Sequence, residues 1–89
     1  MIEQSITIVN KLGLHARAAA KFVTTSSQFT SNIQVARNGR IVNGKSIMGL
    51  MMLAAAKGTD IIIHVSGEDE QDAFDSLKAL INDFFGEGE

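Results

Sequence analysis

A two-residue turn signal between two alternating segments is the feature that most constrains the fold of this chain. Residues 32–37 (NIQVAR) and 40–43 (RIVN) alternate polar and apolar side chains, which is the pattern of half-buried strands. Asn38 and Gly39, which separate the two segments, form the strongest short-range signal for a tight hairpin. The sequence therefore predicts two adjacent antiparallel strands within residues 32–43.

The remaining segments predict two further strands and three helices. Residues 5–9 alternate, and residues 60–66 are rich in β-branched side chains, so both are predicted strands. Helices are expected over residues 15 to about 29, over residues 47 to about 57, and after a capping Asp69. The core face of the last helix is predicted to comprise Ala73, Phe74, Leu77, Leu80, Ile81 and Phe84.

The predicted element order is β-α-β-β-α-β-α. Because the one tight hairpin is antiparallel and the helices most simply cover one face of the sheet, the predicted fold class is a two-layer α+β domain. Residues 1–89 are expected to form this single domain, since no linker or repeat divides them. Residues 86–89 are expected to be a frayed tail.

The composition narrows the class of protein. The chain has no cysteine, so a core drawn from 45% hydrophobic residues must hold the fold without disulfides or thiolate-bound metal. The 8 Lys and Arg residues are dispersed and the net charge is −2, which argues against nucleic-acid binding. No segment has the length of a membrane span or the form of a signal peptide, so we expect a cytoplasmic protein without membrane insertion.

Residues 39–46, GRIVNGKS, match the phosphate-binding pattern G-x-x-x-x-G-K-[ST]. A nucleotide site is not expected, because Gly39 belongs to the predicted hairpin and an extended strand cannot curl its N–H groups around one anion. Ser46 is expected to cap the second helix. A regulatory phosphoserine at this position is compatible with the cap, because the helix dipole favours negative charge, and the sequence leaves both roles open.

His15 opens the first predicted helix, and Arg17 follows two residues later. The free N–H groups of a helix start suit an anion, and a neutral imidazole there has a nucleophilic nitrogen. A phosphoryl group on that nitrogen would meet the helix N–H groups and the Arg17 guanidinium. By itself, however, the H-x-R spacing is unspecific and favours a partly exposed histidine beside an incidental arginine.

Two longer motifs resemble HPr, the histidine-containing phosphocarrier family of the bacterial phosphoenolpyruvate-dependent sugar phosphotransferase system. The motifs are LGLHARAA at residues 12–19 and NGKSIMG at residues 43–49, and the resemblance extends over essentially the whole chain. It implies the open-faced β-sandwich of that family, in which three helices cover one face of a four-stranded antiparallel sheet.

The resemblance also implies a function. His15 would accept a phosphoryl group on Nδ1 from phosphorylated enzyme I and pass it to enzyme IIA domains for sugar uptake, with Arg17 steadying the group. Ser46 would be the target of a dedicated kinase and phosphorylase. The protein would then be a monomeric, stoichiometric carrier rather than an enzyme, with no cofactor and no metal.

Two alternatives remain open beside this function. The first alternative is a nitrogen-branch phosphocarrier, because the lead-in at residues 10–13 also occurs in the nitrogen-branch paralogue, NPr. The second is a regulatory binding module whose affinity is set by phosphorylation of Ser46. The chain departs from the family motif at Ala18, where proline is usual, and at Thr24 and Ser27, where some members carry lysines. The second departure weakens the expectation of a strongly electrostatic docking surface.

The second predicted helix is apolar nearly all round, although a helix in a small domain can bury only one side. Leu50 and Leu53 suit the core. Ile47, Met48 and Met51 then form a predicted docking face, because exposed apolar patches mark interaction sites and methionine adapts to several partners. The alternative is that the methionines fill gaps in the core.

Overall fold

A computed structural model describes residues 1–89 and contains four strands and three helices. Their order, β-α-β-β-α-β-α, and the α+β fold class confirm the prediction from the sequence. The strands are β1 (Ile2–Thr7), β2 (Asn32–Arg37), β3 (Arg40–Asn43) and β4 (Asp60–Ser66); the helices are α1 (Ala16–Ser26), α2 (Ile47–Met52) and α3 (Glu70–Asn82), and a 3-10 turn covers Phe84–Gly86.

The four strands form one antiparallel sheet in the order β1-β4-β2-β3. The two central strands, β4 and β2, alternate buried and exposed side chains. Their buried side chains lie on one face of the sheet, and the helices pack their apolar sides against that face. The fully buried members of this core include Ile33, Val35, Ile61, Ile63 and Val65 of the sheet and Ala18, Ala19, Phe22, Leu50, Ala73, Leu77 and Ile81 of the helices. The core therefore lies between the two layers.

The predicted hairpin joins β2 to β3. Asn38 and Gly39 have φ values of 51° and 81°, the left-handed conformation that a two-residue hairpin turn requires at both central positions. Residues 40–43 pair with β2 as strand β3. The segment GRIVNGKS is therefore hairpin, strand and helix start, and it does not wrap around an anion.

The structure corrects the predicted bounds of three elements. β1 runs from Ile2 to Thr7 rather than over residues 5–9, because it pairs with β4 along that whole length. α1 ends at Ser26 rather than near residue 29, and the Ser26 hydroxyl donates to the Gly44 carbonyl at 2.7 Å. α2 ends at Met52 rather than near residue 57. Ala54 turns into the left-handed region, so that the buried Ala55 can leave the helix axis.

The C-terminal residues were expected to fray, and this expectation is wrong. Phe85 is fully buried, whereas Phe84, which was assigned to the core face, is 37% exposed. Both residues have positive φ, 57° for Phe84 and 53° for Phe85, and the chain reverses direction after α3. Lys21 Nζ donates to the Phe85 carbonyl at 2.7 Å, and the Lys11 N–H donates to the main-chain oxygen of Glu89 at 3.0 Å. These bonds bring residues 86–89 back to the start of α1.

Asp69 was predicted to cap α3, but its side chain makes no cap hydrogen bond. It accepts hydrogen bonds from the Ser31 hydroxyl, from the Thr30 N–H at 2.9 Å and from the Ser31 N–H at 3.0 Å. These bonds, the one from the Ser31 hydroxyl first, lower the pKa of Asp69 from 3.8 to about 2. The carboxylate therefore ties the β2 lead-in to the start of α3.

We expect this tie to make the free energy of unfolding depend on pH. A carboxyl whose pKa is depressed by folding stabilises the fold while it is ionised, and the stabilisation is lost as pH falls from 3.8 toward about 2. Urea unfolding of wild type and Asp69→Asn at several pH values should show the stability difference narrowing over that interval. Asp72→Asn, which removes an acidic group from the same helix start, is the control. A wild-type advantage over Asp69→Asn that is unchanged at low pH would contradict this.

Candidate functional site

His15 is the N-cap residue of α1. Its backbone is extended, with φ −79° and ψ −179°, and its carbonyl accepts the first helical hydrogen bond from the Ala19 N–H at 2.8 Å. The imidazole makes no cap hydrogen bond to the helix, so the N–H groups of the first turn keep their capacity to bind an anion. The His15 side chain is 29% exposed, which leaves it open to a partner.

The two residues before His15 fix where the imidazole lies. Gly13 has φ +69°, and a Cβ on it would lie 2.5 Å from the Ala55 carbonyl oxygen, so only glycine fits at this close approach. Leu14 is buried, and its N–H donates to the same carbonyl at 2.8 Å. The early end of α2, which frees Ala55, is therefore part of what positions His15.

His15 and Arg17 both line an open depression of about 790 Å³ at the start of α1. Lys11 and Lys21 contribute two further cations to its lining, and the C-terminal segment contributes Glu87 and Glu89. Arg17 is exposed, and its guanidinium is free to meet an anionic group. The depression thus combines a nucleophilic side chain, a helix start and three cationic residues.

Glu87 contacts His15 directly. Its Oε2 lies 2.5 Å from His15 Nε2, and its Oε1 accepts a hydrogen bond from Asn10 Nδ2 at 2.9 Å. Burial opposes ionisation of the Glu87 carboxyl, but the hydrogen bonds from Asn10 and His15, the charge that His15 carries when it is protonated and the charge of Lys21 hold its pKa below the ordinary value. The carboxylate is therefore an acceptor for both neighbours.

A second, smaller depression of about 250 Å³ lies between His15 and the segment that follows α2. Its lining is mainly apolar and includes Leu12, which is 67% exposed, and Ala54. An apolar surface therefore extends from His15 toward the end of α2, where a partner protein could bury it.

The remaining predicted site residues lie at the N-cap of α2 and within it, and they do not line the His15 depression. Ser46 is the N-cap of the helix, as expected, and its Oγ accepts a hydrogen bond from the Gly49 N–H at 3.1 Å. Leu50 is in the core, whereas Ile47, Met48 and Met51 are exposed by 41%, 73% and 42%. Met52, which the sequence did not single out, is 59% exposed beside them. The docking role of this face stays a prediction.

Four residues of the site were not singled out from the sequence: Asn10, Lys11, Lys21 and Glu87. Asn10 and Lys11 were noted only as part of the lead-in at residues 10–13, Lys21 only as a residue within the first predicted helix, and Glu87 as part of a frayed end. The available signal was the pair Phe84-Phe85 directly before Gly86, because a buried aromatic side chain anchors whatever follows it. Which of the two phenylalanines is buried, and where the chain then turns, could not be read from periodicity.

Comparison with known families decides the assignment. The family model for the HPr component of the phosphotransferase system, described by its phosphorylation site, matches residues 2–83. The chain belongs to the HPr family. HPr is the phosphocarrier of the phosphotransferase system, and the resemblance inferred from residues 12–19 and 43–49 is confirmed.

Several relatives resemble the chain over nearly its full length. The phosphocarrier protein HPr of Neisseria meningitidis serogroup A is 62% identical over 89 residues, covering all of both chains. The HPr-like protein Crh of Bacillus subtilis is 43% identical and covers 93% of this chain and 98% of its own. The crystal structure of HPr from Thermoanaerobacter tengcongensis is 47% identical, covers 98% of each chain and superposes with a TM-score of 0.94. This likeness confirms the HPr fold.

The structure contains neither a helix suited to cross a membrane nor a candidate metal centre. None of its helices combines the length and the apolar character needed to cross a membrane. No three side chains among the histidines, aspartates and glutamates converge as a metal-binding group.

Proposed function

We propose that this HPr-family protein accepts a phosphoryl group on Nδ1 of His15 from phosphorylated enzyme I and passes it to enzyme IIA domains for sugar uptake. The whole chain, residues 1–89, acts as one monomeric unit in the cytoplasm and turns nothing over itself. The observation that carries the proposal is an accessible imidazole at the start of α1, beside Arg17, in an open depression.

The chemistry follows from the surroundings of that imidazole. The Nδ1 lone pair attacks phosphorus, the new N–P bond forms, and the bond between phosphorus and the donor breaks with its electron pair leaving on the donor. Negative charge on the phosphoryl oxygens is met by the N–H groups of the first turn of α1 and by the Arg17 guanidinium. Transfer to an enzyme IIA domain reverses these steps, because the same groups release the phosphoryl group to a second nucleophile.

Docking would use the apolar surface around this site. Leu12 and the exposed side chains of α2 present adaptable apolar groups, which suit a carrier that must bind both donors and acceptors. Few cationic groups accompany them, so we expect the contacts with enzyme I to be largely apolar. Lys11, Arg17 and Lys21 then serve the phosphoryl group rather than a broad charged interface.

A second role, as a module regulated at Ser46, is favoured by one observation. Ser46 caps α2 directly before the exposed Ile47 and Met48, so a phosphate on its Oγ would lie at the edge of the docking face. A Ser46-directed kinase and phosphorylase would then set the affinity for enzyme I or for another partner. The two roles are compatible in one protein.

The nitrogen-branch alternative is tested by the choice of donor. Phosphorylated enzyme I of the sugar branch and its nitrogen-branch counterpart, offered separately at equal concentration, should transfer to this protein at different rates. We propose the sugar-branch donor as the faster, and a faster nitrogen-branch donor would reassign the protein to that branch.

Replacing His15 by alanine should abolish phosphoryl uptake and leave the fold intact, because the side chain is partly exposed and outside the core. Incubation with phosphoenolpyruvate and enzyme I, followed by intact mass measurement, should show one added phosphoryl group on wild type and none on His15→Ala. The group should be lost in acid, as phosphohistidine is and phosphoserine is not. Full uptake by His15→Ala would contradict the proposed function.

Arg17→Ala should slow transfer more than it weakens docking. A guanidinium held against the moving phosphoryl group acts mainly in the transition state, so kcat for transfer from enzyme I should fall by about 10²-fold or more with KM little changed. Steady-state kinetics with enzyme I as donor would measure both constants, and Arg40→Ala, which removes an exposed arginine from β3, is the matched control. A raised KM with an unaltered kcat would instead assign Arg17 to docking.

Ser46→Asp should weaken binding to enzyme I without removing the chemistry at His15. An acidic N-cap suits the start of α2, so the fold should be no less stable. In the complex, the carboxylate beside Ile47 and Met48 would have to lose water or meet like charge, which should cost about 1–3 kcal/mol of affinity. Isothermal titration of enzyme I with wild type, Ser46→Asp and Ser46→Asn, an uncharged cap, separates charge from capping. Equal affinities for all three would leave Ser46 as a cap alone.

A further inference from the structure

We propose that Glu87 is a positioning residue for phosphoryl transfer: it holds the Nε2–H of His15 and so keeps the lone pair of the neutral ring on Nδ1. The inference rests on the proposed function, in which Nδ1 of His15 accepts the phosphoryl group. Glu87 thereby joins the site from the far end of the chain, and its contact selects one of the two tautomers of the His15 ring.

The hydrogen bonds of the Glu87 carboxylate define the tautomer. An ionised carboxylate can only accept, so the 2.5 Å contact between its Oε2 and His15 Nε2 requires the proton to be on Nε2. A neutral imidazole carries one N–H, and its other nitrogen then has a free lone pair. Since Nε2 holds the proton, Nδ1 of His15 is the nucleophilic nitrogen.

Asn10 keeps Glu87 in the required state. Asn10 is fully buried, and its Nδ2 donates both to the Gly13 carbonyl at 2.8 Å and to Glu87 Oε1 at 2.9 Å. The Gly13 carbonyl and the Glu87 carboxylate are both acceptors, so the side-chain nitrogen of Asn10 must face them. Asn10 Oδ1 is left buried without a hydrogen-bond partner. Asn10 therefore presents an N–H donor to Glu87 at a fixed place, and the Glu87 oxygen opposite it must act as an acceptor.

The path of the chain supports a defined position for Glu87. Phe84 and Phe85 lie in the left-handed region, which is unfavourable for a residue other than glycine. Burial of Phe85 and its hydrogen bond from Lys21 Nζ hold this turn. On the other side of Glu87, the bond from the Lys11 N–H ties the main chain of Glu89. Glu87 is therefore anchored from both directions.

The other charged groups around the ring do not compete for Nε2. Lys11, Arg17, Lys21 and Glu89 line the same depression, but none of them hydrogen bonds to the imidazole. Glu87 is the one carboxylate in contact with the ring, and its side chain is only 12% exposed, so solvent weakens the contact little.

This arrangement lets the transfer proceed without moving a proton. As Nδ1 bonds to phosphorus and the donor departs with its electron pair, the ring becomes positive while Nε2 keeps its hydrogen. Glu87 meets that positive charge. When the N–P bond later breaks, its electron pair returns to Nδ1 and the original tautomer is restored. Glu87 therefore serves both directions of the relay.

Glu87→Gln and Glu87→Ala distinguish this role from a general effect of charge. Because Asn10 presents N–H, the glutamine side chain should turn its carbonyl to Asn10 and its amide N–H to His15 Nε2, which must then accept. The ring proton moves to Nδ1 and blocks the nucleophile. Alanine leaves both tautomers accessible to water. We therefore expect Glu87→Gln to transfer more slowly than Glu87→Ala, by about tenfold, and Glu87→Ala more slowly than wild type.

Nitrogen-15 NMR of the His15 ring in the unphosphorylated, uncharged state reads the tautomer without enzyme I. Wild type should carry Nε2–H and Glu87→Gln should carry Nδ1–H. Single-turnover transfer from phosphorylated enzyme I gives the rates, and Glu89→Gln, which removes the same charge from the same depression, measures the effect of charge alone and should keep Nε2–H. Urea unfolding should confirm that all variants are folded.

Failure of the Glu87 role and failure of the proposed function give different results in these experiments. Nδ1–H in wild type, Nε2–H in Glu87→Gln, or equal rates for Glu87→Gln and Glu89→Gln would overturn the positioning role. A wild-type protein that carries Nε2–H but takes no phosphoryl group from enzyme I would contradict the proposed function, while the tautomer measurement would still support the contact between Glu87 and His15.

Discussion

The burial of α1 in the core, beside α2 and α3, is the constraint on which the site depends. Ala18, Ala19 and Phe22 are fully buried in the core, so the helix can neither slide nor rotate without opening a cavity. His15 lies at the start of that fixed helix, outside the core, and Leu14 anchors the chain just before it. A small protein can therefore hold an accessible nucleophile on a rigid support, since positioning and exposure are supplied by neighbouring residues.

Much of the fold follows from local patterns in the sequence. The bounds of β2, β3 and β4 agree with the alternation and the Asn38-Gly39 turn, and Ser46 caps α2 as its position indicates. The end of α2 does not follow, because a hydrogen bond between Leu14 and Ala55 decides it, and that bond joins residues far apart in sequence. Long-range contacts of this kind override local propensity.

The site was predictable only where local sequence determines it. His15 and Arg17 share one short motif at a helix start, so their proximity is a local property. Glu87 reaches His15 only because Phe85, rather than Phe84, is buried and the backbone reverses in the left-handed region. Neither the burial of Phe85 nor the reversal of the backbone leaves a periodic signal in the sequence. The glycines at 86 and 88 favour the expectation of a flexible end when the sequence is read alone.

In the proposed function, the tasks of a phosphocarrier are divided among three parts of the fold. The start of α1 supplies the nucleophile and free N–H groups, the returning C-terminal segment supplies a carboxylate against the ring, and α2 presents an adaptable apolar surface. The side chains that meet the phosphoryl group or a partner lie outside the core, whereas Ala18 of α1, Leu50 of α2 and Phe85 of the C-terminal segment are buried in it. Chemistry and partner binding can therefore change in this family with little cost to the packing between sheet and helices.

The most direct test of the central claim is to identify which ring nitrogen carries the phosphoryl group. A nitrogen-15-labelled sample phosphorylated with phosphoenolpyruvate and enzyme I can be examined by NMR for coupling between phosphorus and a ring nitrogen. The account predicts coupling to Nδ1 of His15, with a proton retained on Nε2. Coupling to Nε2 of His15, or phosphorus on His64, the second histidine of the chain and a residue of β4, would contradict it.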